Sequence, residues 1–331
     1  MKPSLNEDHN LKNFQEKDFI SFLKKNENCF KINYFSKCPV IPKFYWYNTK
    51  FNLGSIKSEG IGSSFNKNQA KMASICEALE WTPFSNKNMI WQNFIGKSEG
   101  EIKNSNGTSF DLDIEKSIIK SVLEKIERQV VLDAWLNKKD VYEIIGLFNL
   151  NLINTMSSFL NKLNSKFIYF PNKYGVNVVS CILYNTKRKP FFISGFGAST
   201  NIEKAILKSF FEAWRFLWNF KHVSYKKQCN IEENHSFEEH FLHYANNYRA
   251  IDNIYKINEK IFFKDIKKNN EELGFNEAID LIDGASYIDL TNYNMIGYIT
   301  KVFAKDMIDL WVGPLKNHYF KRNVGEIHPI G

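Results

Sequence analysis

Three stretches of the chain align over 22 residues without a gap: "GIGSSFNKNQAKMASICEALEW" (60–81), "GTSFDLDIEKSIIKSVLEKIER" (107–128) and "GFGASTNIEKAILKSFFEAWRF" (195–216). Place 1 of each is a glycine (Gly60, Gly107, Gly195) and place 11 a small residue (Ala70, Ser117, Ala205). Place 15 is a serine (Ser74, Ser121, Ser209) and place 18 a glutamate (Glu77, Glu124, Glu212). Place 21 holds Glu80, Glu127 and Arg215. The copies start 47 and then 88 residues apart, a spacing too irregular for a solenoid, so three related elements are predicted within one fold.

In the second copy Ile118, Ile119, Val122, Leu123, Ile126 and Val130 gather on one side of a helix. Ser121, Glu124, Glu127 and Arg128 fall on the other, as on a surface helix with a solvated stripe, reached here through a Gly-Thr-Ser turn. Asn66 or Asn68, Asp113 and Asn201 supply N-caps. The pairs Gly60/Gly62 and Gly195/Gly197 complete neither a dinucleotide fingerprint nor a P-loop, and turn geometry accounts for them. "KFIYFP", "NVVSCILYN" and "PFFISGFG" read as strands bounded by Pro, Asn and Gly. The fold class is therefore α/β in the mixed α+β sense. No linker divides the chain, which gives an N-terminal extension over 1–44 and one domain over 45–331, with 221–331 a helical then stranded completion. Residues 258–278 read as helix and exposed loop, and the aromatic run "FFEAWRFLWNF" as core packing.

A repeat kept only for packing needs its glycine, small residue and apolar spacing. It has no need of a carboxylate at one register. If the helices converge, Glu77, Glu80, Glu124, Glu127 and Glu212 repel unless a cation lies among them. Hard divalent metal suits such a set, and Mg2+ takes carboxylate oxygens and bridges to phosphates. Arg128 and Lys208, on the same faces, are suited to phosphate oxygens.

Composition narrows the partners. The net charge is +8, but the arginines are only Arg128, Arg188, Arg215, Arg249 and Arg322 and the basic clusters are short, which argues against nucleic acid. The five cysteines are widely spaced without a C-x-x-C pair, so neither a disulfide framework nor a zinc site is predicted and a reducing cytoplasm fits. The sequence shows no apolar signal segment and no run of 18 apolar residues, so no membrane association is expected. His235, His240 and His243 include an i, i+3 pair that reads as structural.

The segments "ASICEALE", "NGTSF" leading to "SVLEKIER", and "GFGASTNIEKAILKSFFEAW" resemble the YcaO family, in particular its azoline-forming cyclodehydratases of microcin type. The resemblance runs from about residue 45 to 220, with an echo in "GYITKVFAKDMIDLWVGP" (297–314), where the family has a late strand. It implies a YcaO-like fold with the three carboxylate helices around a nucleotide site, and ATP and Mg2+ as cofactors. By matching positions it gives Glu77, Glu80, Glu124 and Glu127 to the metal. Ser74, Ser109, Ser121, Arg128, Lys208 and Glu212 go to ATP. The implied activity is ATP-dependent cyclodehydration of Cys, Ser or Thr in a ribosomal precursor peptide, in bacteriocin-like natural product maturation. The implied partners are that peptide, a separate leader-peptide-binding (E1-like) protein and a flavin-dependent dehydrogenase. The chain departs from the family at Trp81, where many members have arginine, and at Lys116, where many have an acidic residue. It ends in "GEIHPIG" where azoline-forming relatives often carry a proline-rich tail. Thioamide or amidine formation, and a non-catalytic YcaO-like subunit, stay open as alternatives.

Overall fold

The computed structural model describes residues 17–35, 44–84, 105–147, 164–185, 187, 192–222, 255–266, 271–291, 296–304 and 307–308. In chain order the strands and helices are β1 (Phe30–Phe35), β2 (Tyr45–Leu53), β3 (Ile56–Ser64), α1 (Lys67–Glu80), β4 (Thr108–Asp111), α2 (Ile114–Leu136) and β5 (Asp140–Ile145). There follow β6 (Asn164–Phe170), β7 (Asn177–Tyr184), β8 (Phe192–Ser199), α3 (Ile202–His222), β9 (Lys256–Phe262), α4 (Phe275–Asp280), β10 (Ser286–Asp289) and β11 (Tyr298–Phe303). The mixed α/β class is as expected, and the three segments read as strands are β6, β7 and β8.

The chain forms two compact units, Met1–Val122 with Gly274–Lys305, and Leu123–Leu273 with Asp306–Gly331. The first holds two antiparallel three-stranded sheets, ordered β1-β2-β3 and β10-β11-β4. Its core gathers Phe19, Phe51, Ile75, Leu79, Phe110, Leu290 and Ile299. Phe19 belongs to the segment read as an N-terminal extension, and β1 from the same segment pairs with β2, so the described part of that segment is built into this unit. The second unit holds a five-stranded sheet ordered β8-β7-β6-β5-β9, antiparallel except where β5 and β9 run parallel. Its largest buried side chains include Trp135, Phe170, Phe192, Phe210 and Trp214, which bears out the core reading of the aromatic run where its side chains are described.

Each 22-residue repeat is a strand, a short turn and a helix: β3–α1, β4–α2 and β8–α3. The N-caps are as the sequence suggests. The Asn66 side chain accepts from the N–H groups of Asn68 and Gln69, Asp113 from Glu115 and Lys116, and Asn201 from Lys204. Three expectations need correction. Of the Gly-Thr-Ser stretch only Gly107, with a φ of +71°, belongs to a turn, because Thr108 and Ser109 begin β4. The glycine pairs are not turn residues either: they lie inside β3 and β8. A Cβ on Gly62 would sit 2.0 Å from the Ala70 carbonyl oxygen and 2.3 Å from the Ser74 nitrogen, and one on Gly60 2.1 Å from the Ala78 nitrogen. The third repeat has the same contacts, with a Cβ on Gly195 2.1 Å from the Ala213 nitrogen and one on Gly197 2.3 Å from the Ala205 carbonyl oxygen. The glycines let the helix backbone lie directly on the strand. Finally, 258–278 opens as strand β9 before a short 3-10 turn with buried Phe263, and among the described residues of the stretch α-helix begins at Phe275, in Phe275–Asp280.

Close approach also explains the serine at place 15. Ser74 Oγ lies 2.7 Å from Thr49 Oγ1 on β2, and Ser121 donates to the Thr300 carbonyl on β11 at 2.9 Å. A larger side chain at either position would hold the helix away from the sheet. No helix among the described residues is long and apolar enough to cross a membrane. His235, His240 and His243, the tail beyond 308, and Cys38 and Cys229 lie outside the described residues.

Candidate functional site

The three repeat strands share one topological property: among the described residues, β3, β4 and β8 are each the last strand of their sheet. An edge strand presents backbone N–H groups with no ladder partner, and a buried one must be satisfied elsewhere. The glutamates do this. At place 18, Glu77 Oε2 accepts from the N–H of Ile61 at 3.1 Å, and Glu212 Oε2 accepts from the N–H of Phe196. Ile61 and Phe196 both occupy place 2 of their repeats. At place 21 the link runs to the next repeat. Glu80 Oε2 accepts from the N–H of Phe110 at 3.2 Å, and Glu127 accepts from the N–H of Ala198. Phe110 and Ala198 both stand at place 4. The regular carboxylates are thus acceptors for strand edges as well as candidates for a metal.

Around Glu127 and Glu212 the second unit collects charge. Arg128 Nη1 lies 3.7 Å from Glu127 Oε1, and its Nη2 lies 3.6 Å from Glu212 Oε1. Arg215 Nη2 reaches the same Glu212 oxygen at 3.7 Å, and Lys208 Nζ donates to the Ala198 carbonyl at 3.0 Å. The stripe is not solvated as expected: Ser121, Lys125 and Glu127 are buried and Arg128 is 13% exposed. Burial pushes the Glu127 carboxyl up to about 7; Arg128, Lys208 and the Ala198 N–H oppose the rise, and Glu212 adds to it. Burial works against the Arg128 charge too, but Glu212, Glu127 and Glu124 outweigh it and hold its pKa above the ordinary value. Nε and Nη1 of Arg128 are buried and make no hydrogen bond among the described residues. A phosphate oxygen is the kind of group that satisfies such donors.

A pH dependence follows for the ligand-free protein. Because the folded-state pKa of Glu127 lies above that of an ordinary glutamate, its protonated form favours folding. That contribution is complete below pH ~4.5 and is lost as pH rises through about 7, by roughly 3–4 kcal/mol at most at 1.4 kcal/mol per pKa unit. Thermal unfolding between pH 5 and 8 should show this loss, and Glu127→Gln should remove it from the profile. Parallel profiles for the two proteins would contradict the buried environment.

The other positions sort plainly. Ser74 and Ser121 are wholly buried, and their hydroxyls bond inside the helix–sheet packing. Ser109 is buried on β4, its carbonyl accepting from Ser117 at 2.7 Å. Lys116 is exposed and paired with Asp113 at 3.5 Å in the first turn of α2, eight residues ahead of Glu124 or about 12 Å along a helix. Trp81, the C-cap of α1, packs edge-on against Phe84. Among the described residues no three His, Cys, Asp or Glu side chains group as a metal cage. Mg2+ in such a setting takes one or two carboxylates and completes its shell with phosphate and water.

Residues 88–282, well over half the chain, match the family model described as YcaO cyclodehydratase, ATP- and Mg2+-binding. The chain belongs to the YcaO family. The match spans the second and third repeats, and it makes this YcaO protein a member of a family of ATP-dependent, Mg2+-binding cyclodehydratases. No curated protein matches it by sequence. Its fold is similar to that of YcaO from Methanopyrus kandleri bound with AMPPCP and Mg2+, at 14% identity and a TM-score of 0.65, covering 87% of this chain and 90% of that one. It is also similar to a heterocyclase in complex with substrate and cofactor, at 13% identity and a TM-score of 0.67, over 88% of this chain but 52% of the heterocyclase. The E. coli microcin synthetase McbBCD complex with pro-MccB17 bound matches at 16% identity and a TM-score of 0.59, over 83% and 88%. Sequence reasoning placed Arg215 in the YcaO repeats without giving it a role, and it did not find the strand-edge N–H groups. The signal for both was the register, read at places 2, 4 and 21 together.

Proposed function

We propose that this YcaO protein catalyses ATP-dependent cyclodehydration of Cys, Ser or Thr residues in a ribosomal precursor peptide, giving thiazoline or oxazoline rings. The observation that carries the site is Arg128, a buried guanidinium with two nitrogens that make no hydrogen bond among the described residues, set beside Glu127 and Glu212. Arg128 and Lys208 are assigned to phosphate oxygens, Glu124 and Glu127 with Glu77 and Glu80 to Mg2+, and Ser109 to the nucleotide. Glu212 holds Arg128. Ser74 and Ser121 are left as packing residues, because their hydroxyls bond within the helix–sheet contact. The exposed position of Lys116, paired with its own helix cap, favours the catalytic reading over a non-catalytic subunit.

Bound ATP and Mg2+ supply the phosphoryl group that makes an amide oxygen able to leave. The chain contributes charge and position: Arg128 offers fixed donors, and Glu127 and Glu212 are aimed by backbone N–H groups of β8. On the peptide, a side-chain sulfur or oxygen attacks the preceding carbonyl carbon. The amide oxygen departs with phosphate, the nucleophile's proton and the amide N–H proton are lost, and the peptide is one water lighter. A separate leader-peptide-binding protein is proposed as partner, with a flavin-dependent dehydrogenase acting on the product.

The test is mass spectrometry of the precursor peptide after incubation with this protein, the binding partner and ATP. One water lost per event, with loss of alkylatable thiol, is the expected result. Exchange of oxygen for sulfur, leaving side chains free, moves the assignment to thioamide formation. No change in peptide mass while ATP stays bound rejects the catalytic reading. The protein's own Cys76 and Cys181 interfere little, since burial raises both thiols, Cys76 to about 12.

A further inference from the structure

We infer that Arg215 is a positioning residue for nucleotide binding: by sharing one oxygen of Glu212 with Arg128, it keeps the remaining donors of Arg128 open to phosphate. The inference rests on the phosphate reading of Arg128 given above. A guanidinium facing a lone carboxylate closes onto it with two parallel hydrogen bonds of about 2.8 Å. Arg128 and Glu212 do not close in this way. Glu212 Oε2 is held by the Phe196 N–H, and Oε1 stands 3.6 Å from Arg128 and 3.7 Å from Arg215. With Oε2 turned to the strand N–H and Oε1 drawn between two guanidiniums, the two-bonded pair does not form, and Nε and Nη1 of Arg128 make no hydrogen bond among the described residues.

Register gives a second line of argument. Place 21 is Glu80 in the first repeat and Glu127 in the second, each accepting from the N–H at place 4 of the next repeat. The third repeat reverses the sign of this place with Arg215, next to its own Glu212. Arg215 also rests against the Phe216 ring, 5.4 Å from its centroid, which limits how it swings. Its side chain is 25% exposed, against 13% for Arg128, so exchanging it disturbs less buried packing.

Without the Arg215 charge, Glu212 draws Arg128 fully onto itself, and ATP must compete with that pair. Arg215→Gln is expected to raise the KM for ATP about tenfold with kcat within about twofold, and Arg215→Lys to recover most of the loss, because sharing needs a charge rather than a fork. The assay uses the full chain with its partner and precursor peptide, with thermal unfolding of each variant. An unchanged KM in Arg215→Gln overturns the inference, as does a fall in kcat together with a lowered Tm, which marks a structural role. Arg128→Gln is run alongside. If it binds ATP normally, the phosphate reading itself fails; if it loses ATP while Arg215→Gln does not, only the role of Arg215 is rejected.

Discussion

Replacing Glu124 and Glu127 together by glutamine is expected to lower ATP turnover by a factor of ~1000 or more while the protein stays folded. Glutamine keeps the size of the side chain and removes the charge that Mg2+ needs. At Glu127 the exchange is mild for the fold, because burial already favours the neutral carboxyl and an amide oxygen still accepts the Ala198 N–H. Arg128 keeps Glu212 as its counter-charge. Steady-state ATP turnover with precursor peptide at pH 8, beside circular dichroism of the same sample, measures both halves of the expectation. Turnover near the unaltered rate would remove these two glutamates from the metal site.

The second large effect lies in the glycines. Gly62→Ala and Gly195→Ala each place a methyl carbon about 2 Å from helix backbone atoms, where nothing flexible can yield. The helix must move off its strand, and in the first repeat that motion breaks the contact between Ser74 and Thr49. Overpacking usually costs about 1–3 kcal/mol; a clash of backbone with backbone belongs above that range, so each variant is expected to be insoluble or to melt at least ~10 °C lower. Gly175 gives the contrast. It has a φ of +67° and open space where a Cβ would stand, with nothing within 4 Å, so Gly175→Asn is expected to be tolerated. Equal melting temperatures for Gly195→Ala and Gly175→Asn would refute the close-approach account.

What could be read from the sequence was local. The caps at Asn66, Asp113 and Asn201 announce themselves because a side chain reaches two or three residues along its own chain. Strands β6, β7 and β8 are bounded by residues that stop strands. The repeat was legible as a pattern, but its causes were not, since each involves a partner distant in sequence. Gly60 and Gly195 look like turn residues until the helix is seen lying on them. The polar stripe of α2 looks solvated because periodicity counts apolar residues and cannot register a serine satisfied by Thr300 or a glutamate by Ala198. Four-residue β4 is too short to show alternation, and it exists because β11 pairs with it from nearly two hundred residues away. Of the candidate site, the glutamates and Arg128 stood out by spacing, whereas Arg215 could be weighed only once its distance to Glu212 was known.

The capping of strand edges by carboxylates bears on how such chains age. Glu77, Glu80, Glu127 and Glu212 each close a backbone N–H that would otherwise offer a template to a foreign strand. Their loss therefore threatens solubility as well as chemistry. A copy of this gene released from selection for activity would still be held to these four positions by the need to avoid aggregation. In a decayed descendant they would mark a surviving scaffold and carry no news of a living enzyme. The informative position would be Arg128: it balances Glu127 and Glu212, but two of its nitrogens make no hydrogen bond among the described residues, so a lysine able to balance the same carboxylates could replace it once no nucleotide came.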